Sequence, residues 1–175
     1  MRFATRQSFF DPFARLVTLA VVFAASICSA QDRRQATNAT KHQDDIKELI
    51  SMYAKAADEA DLALASRVWC DSSEDSLINP AGRWRGLEQI LGFYRHEMGD
   101  TYSSRKLKIT DISVQAYTDA AWAEFSWDFE ATRKKDGSAV SFHGMETQIY
   151  RKNRNNWCLV HVHYSALPAE KRGNK

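Results

Sequence analysis

The chain has 175 residues, 44% of them hydrophobic and 26% charged, with a formal net charge of +2. That length suits one domain, and the composition is globular, not fibrous or low-complexity. Past the N-terminus no apolar run reaches the roughly 18 residues of a membrane-spanning helix, and so slight a charge excludes nucleic acid as an expected partner.

Arg2, Arg6 and Arg15 make the start basic, Leu16 to Ile27 carries no charge, and Cys28-Ser29-Ala30 has the small residues of a cleavage site. The pattern predicts a secretory signal peptide over residues 1–30, with a stretch too short for a comfortable membrane anchor. Cutting after Ala30 removes three Arg and one Asp, so the formal charge falls from +2 to zero. The expectation is a secreted or periplasmic protein with no membrane attachment after cleavage. Cys70 and Cys158 remain, and an oxidising compartment permits a disulfide between them. Two separate buried thiols are the alternative.

Residues 31–43 are polar and aperiodic and read as a disordered leader. A helix is predicted from near Asp44, because Ile46, Leu49, Ile50, Tyr53 and Ala57 fall on one helical stripe. Asp61 can cap a short second helix with Leu62, Ala65, Val68 and Trp69 inward. A brief strand at 76–78 ends in the turn Asn79-Pro80-Ala81-Gly82. A third helix from about Gly86 carries Leu87, Ile90, Leu91, Tyr94 and Met98 on one face. After Asp100 the period changes to 2. The first long strand spans 104–116, with a bulge near Asp111 explaining a parity switch. In the second, Phe125, Trp127 and Phe129 alternate with Glu124, Asp128 and Glu130, giving one aromatic and one acidic face. Strands at 140–151 and 157–165 follow, and the tail from 169 is polar.

Helices followed by four antiparallel strands predict an α+β domain over 44–168, a curved sheet wrapped as a cone around the N-terminal helices, with a mouth at one end. Three stretches carry a family likeness: Tyr53-Ala-Lys-Ala-Ala-Asp-Glu-Ala-Asp61, Asn79-Pro-Ala-Gly-Arg-Trp-Arg-Gly86, and Trp157-Cys-Leu-Val-His-Val-His-Tyr-Ser165 followed by Pro168. They resemble the nuclear transport factor 2-like superfamily, with its cystatin-like cone, ketosteroid isomerases and SnoaL-like proteins. The third stretch most resembles the association domain of calcium/calmodulin-dependent protein kinase II, a likeness that continues through Glu146-Thr147 and Phe93-Tyr94.

The resemblance to the isomerases places Tyr53 where they hold an oxyanion-hole tyrosine. Their general base falls at Asn79, whose amide cannot accept and return a proton at neutral pH. The resemblance to the kinase domain puts Trp127, Gln148 and Tyr164 where that domain has pocket arginines, so an acidic ligand is disfavoured and a small neutral or apolar one expected. The expected ligand-binding set is therefore Tyr53, Trp69, Asn79, Tyr94, Trp127, Gln148 and Tyr164, with no catalytic group assigned. His161 and His163 share one face of a strand, but the family parity turns them outward, towards the sheet face through which a homodimer is expected. They are read as interface residues and not as metal ligands, and no motif calls for a cofactor. The leading expectation is an exported binding domain. An isomerase, cyclase or hydratase of the SnoaL-like kind is the alternative, requiring an inward acid or histidine, and an oligomerisation module is a third reading.

Overall fold

Apolar residues at helical spacing build the first helix, α1, over residues 37–59. The computed structural model describes residues 37–167; the expected signal peptide, leader residues 31–36 and the tail from 169 lie outside them. The buried stripe of α1 is Ile46, Leu49, Ile50, Tyr53, Ala56 and Ala57. The helix begins at 37 and not near Asp44, so residues 37–43 of the expected leader are helical. Tertiary contacts explain the extension. The His42 ring meets Trp157 edge-on at 5.3 Å and its Nδ1 lies 3.0 Å from the Tyr117 carbonyl, while Gln43 donates to the Val114 carbonyl at 3.3 Å.

The second helix, α2 (Leu62–Val68), is capped as expected: Asp61 accepts from the Leu64 amide at 2.9 Å. Strand β1 (Ser76–Asn79) turns into β2 (Gly82–Arg85), a hairpin partner that the sequence reading had absorbed into the turn. Helix α3 (Gly86–Phe93) runs into a π-helical segment, Tyr94–Asp100. The long strands are β3 (Tyr102–Ala116), β4 (Ala120–Arg133), β5 (Ala139–Asn153) and β6 (Asn156–Ala166). The expected bulge sits between Thr110 and Ser113, with Asp111 at φ 55°.

The six strands form one curved, unclosed sheet in the order β2-β1-β6-β5-β4-β3. All neighbours are antiparallel except β1 and β6, which pair parallel with Ser76 beside His161. Alternation sets the two faces. Phe125, Trp127 and Phe129 of β4 are buried inside, and Glu124, Asp128 and Glu130 are exposed outside. Val114, Phe125, Tyr150, Leu159 and Val162 close over α1, α2 and α3 to make the core. No helix among the described residues is long and apolar enough to cross a membrane.

A disulfide and an arginine add further ties to the sheet. Cys70 and Cys158 form a disulfide, with an S–S distance of 1.96 Å and Cα atoms 4.9 Å apart, beside the bridge between Trp69 and Leu159. Arg105 donates from Nε to the Ala57 and Asp58 carbonyls and from Nη1 to the Met98 and Tyr102 carbonyls, at 2.7–3.2 Å. It thereby satisfies the orphan carbonyls that end two helical segments.

Candidate functional site

The inner face of β4, β5 and β6 carries residues of one parity, and α1, the Asn79 turn and the π-helical segment approach that face. Between them lies a cavity of about 370 Å³. Five of the seven expected residues line it: Tyr53, Asn79, Tyr94, Trp127 and Tyr164. Trp69 does not. It is the C-cap of α2, buried behind Tyr94. Gln148 does not either; its inward side chain stops one layer behind the wall, where it holds the residue that sequence reasoning missed.

That residue is Glu146. It lines the cavity and is only 4% exposed. The signal for it was available: Glu146 lies two positions before Gln148 on β5, and residues two apart share a sheet face. The Tyr150 hydroxyl donates to the Gln148 carbonyl oxygen, which turns the Gln148 amide nitrogen towards Glu146, and that nitrogen donates to the carboxylate at 2.6 Å. Burial pushes the Glu146 carboxyl up to about 7, while hydrogen bonds from Gln148 and Tyr53 pull it down.

The tyrosines around it stay protonated. Burial first, then the charge of Glu146, pushes Tyr53 and Tyr164 well above the ordinary phenol range, and burial does the same to Tyr94. Tyr164 is held in one orientation by a short chain of bonds. Asn79 Oδ1 accepts from the Ala81 and Gly82 amides at 2.8 and 3.2 Å. This fixes the amide so that Nδ2 donates to the Tyr164 oxygen at 2.6 Å. Since that oxygen accepts from Asn79, the Tyr164 hydroxyl proton is left for another acceptor.

The Trp127 ring packs directly on β5. Gly144 is its cross-strand partner, and a Cβ there would meet Trp127 Cζ2 at 2.6 Å and the Ser165 carbonyl at 1.9 Å. The ring meets Tyr164 edge-on at 5.5 Å, and Tyr102 meets Phe129 the same way at 5.5 Å, so two orthogonal aromatic pairs form walls of the cavity. The wide turn of the π-helical segment brings Tyr94, Glu97 and Met98 together onto the cavity side; such segments recur at functional sites.

His161 accepts or donates a hydrogen bond with Ser76 Oγ at 2.8 Å, and His163 is exposed on the same outward parity. Burial, then the neighbouring His163, holds His161 below the ordinary imidazole range.

Residues 46–170 match the family model for the SnoaL-like domain. A nuclear transport factor 2-like superfamily protein from Salmonella enterica serovar Typhimurium is 36% identical, across 78% of this chain and 98% of that one, with a TM-score of 0.72. A protein named as a candidate dehydratase of the nuclear transport factor 2-like family from Streptomyces avermitilis is 18% identical, across 74% and 99% of the two chains, at a TM-score of 0.66. A candidate calcium/calmodulin-dependent protein kinase II association domain from Xanthomonas campestris is 18% identical, across 70% and 86%, at 0.60. These last two likenesses are of fold. No curated protein matches the chain.

Proposed function

The chain belongs to the SnoaL-like domain family, within the nuclear transport factor 2-like superfamily, and from that premise we propose that it is an acid–base enzyme acting on a small, largely apolar substrate. One observation carries the reading: a buried carboxyl poised near 7, Glu146, stands in an aromatic cavity beside protonated tyrosines. A pocket without a base had favoured simple binding, with Asn79 occupying the expected position of the base. Glu146 supplies the missing group from a different strand.

The chemistry follows from the donor arrangement. Ionised Glu146 takes a proton from a carbon next to a carbonyl. A general base works best with a pKa near the operating pH. Tyr164, held by Asn79, donates its hydroxyl to the oxygen on which charge develops. Glu146 then returns the proton to a neighbouring carbon, an isomerisation, or gives it to a departing hydroxyl that leaves as water, a dehydration. The name of the Streptomyces avermitilis relative agrees with the second outcome.

The test is isotope exchange. Wild-type protein incubated in D2O with a panel of cyclic ketones and β-hydroxyketones is expected to place deuterium at the α-carbon of one class, read by mass spectrometry. Glu146→Gln is expected to lose at least 100-fold of that rate, within the range for removal of a general base. Exchange by the variant at the wild-type rate overturns the proposal.

Export and self-association remain part of the proposed picture. The basic and apolar N-terminal pattern and the disulfide both support work in the periplasm or outside the cell. The outer sheet face bears Met145 and Ile149, 54% and 42% exposed, with half-buried Trp122 opposite Ile149. A homodimer through that face is expected to sediment at twice the chain mass, and Ile149→Glu to return it to the monomer; a wild-type monomer at micromolar concentration contradicts it.

A further inference from the structure

The cavity wall has an uneven charge. Eight of its seventeen lining residues are aromatic, two are carboxylates, Glu146 and Glu97, and none is Lys, Arg or His. Arg105, which bonds the carbonyls of the lining residues Ala57, Met98 and Tyr102, is engaged on four backbone carbonyls. Glu146 has no cationic partner among the described residues: its bonding comes from Gln148 and Tyr53, and the ionisable groups around it are Tyr53 on α1, Tyr94 on the π-helical segment, Tyr150 on β5 and Tyr164 on β6. Glu97 is exposed at the cavity rim and acts on Tyr164.

Aromatic rings attract a cation through their negative faces, and four rings, Trp127, Tyr164, Tyr102 and Phe129, line this one volume. Trp127 and Tyr164 meet edge-on, as do Tyr102 and Phe129. A wall with two carboxylates and no basic side chain gives the cavity a negative field that favours a positively charged ligand group. A neutral apolar ligand would use the rings and leave Glu97 at the rim without a cationic partner. An anionic ligand would meet repulsion from both carboxylates.

We propose that the ligand of this cavity carries a protonated or quaternary nitrogen on an apolar body, the nitrogen held at the rim by Glu97 and the aromatic rings and the body reaching inward to Glu146. This deepens the proposed function and rests on it, because it takes the same cavity as the substrate site. It departs from the neutral ligand expected from Trp127, Gln148 and Tyr164, since that expectation counted neither carboxylate.

The test compares three probes of similar shape at pH 8: benzyltrimethylammonium, its neutral isostere neopentylbenzene, and phenylacetate. Binding is read by tryptophan fluorescence and by calorimetry, on the wild type and on Glu97→Gln. The cation is expected to bind at least 10-fold more tightly than the isostere, and Glu97→Gln to reduce that ratio several-fold while leaving the isostere unchanged. Equal or tighter binding of the isostere or of phenylacetate overturns the cationic ligand and leaves the cavity as a substrate site. Failure of all three probes to bind overturns both. A ratio unchanged in Glu97→Gln overturns the placement of the nitrogen at the rim.

Discussion

At pH 8, Glu146→Gln is expected to unfold at a higher temperature than the wild type, and the gap is expected to close as the pH falls to 4. Burial raises the folded-state pKa of Glu146 to about 7, whereas a glutamate in the unfolded chain titrates near about 4.3. Between those values the folded protein holds a proton that the unfolded chain has released. Stability therefore falls as pH rises through this window and levels off above about 7, the opposite of a salt-bridged carboxylate. One pKa unit corresponds to about 1.4 kcal/mol, so the full penalty is about 4 kcal/mol. Gln keeps the acceptor that Gln148 needs and carries no charge to bury. The check is thermal unfolding of both proteins at pH 4, 6 and 8. A wild type whose stability relative to Glu146→Gln does not change across that range removes the case for a perturbed carboxyl. The same substitution abolishes the proposed exchange activity, so the two readouts move in opposite directions, as expected where a site carries a destabilising group for its chemistry.

Removing the disulfide has the largest expected effect on stability. The Cys70–Cys158 bridge spans a sequence separation of 88 residues. In the chain-entropy model a loop of that length stabilises the fold by about 4–5 kcal/mol, and loss of a native disulfide commonly costs about 2–5 kcal/mol. The double variant Cys70→Ala/Cys158→Ala is expected to melt roughly 10 °C or more below the wild type, and reduction of the wild type to produce a similar loss. Equal melting temperatures with and without reductant would show the bridge to be energetically idle. Because the bridge pins the segment carrying Trp69 to β6, and Trp69 lies behind Tyr94, its loss is also expected to loosen the cavity wall, seen as altered near-ultraviolet circular dichroism.

The architecture was legible because each element announced its own period. The stripe from Ile46 to Ala57, the Asp61 cap and the alternation of Phe125, Trp127 and Phe129 are local signals, and they fall within the helices and the strand expected of them. The start of α1 was not legible, since its first turns are held by Trp157, Tyr117 and Val114, far away in sequence. Pairing of the cysteines depends on a Cα distance that no spacing reveals. In the site, Tyr53, Trp127 and Tyr164 were placed by the family resemblance, and all three line the cavity. Glu146 entered the sequence reading only as part of the family likeness, and its burial depends on Gln148, Tyr150 and Tyr53 meeting around it. Trp69 and Gln148 were read as wall and turn out to be support, a distinction of one layer of side chains that periodicity does not resolve.

The parallel pairing of β1 with β6 also constrains how the chain assembles as it leaves the ribosome. The last of the six described strands, β6, lies in the sheet interior, between β5 and β1. Until residue 166 has emerged, β1 and β2 are an isolated hairpin of two four-residue strands, a unit too small to be stable in water. The local contacts of β3, β4 and β5 are available earlier, whereas closure of the core awaits a pairing between residues 76 and 161. High contact order of this kind slows folding and leaves apolar strands uncovered meanwhile. Completion of the sheet thus waits for β6, and its pairing with β1 is where assembly is decided.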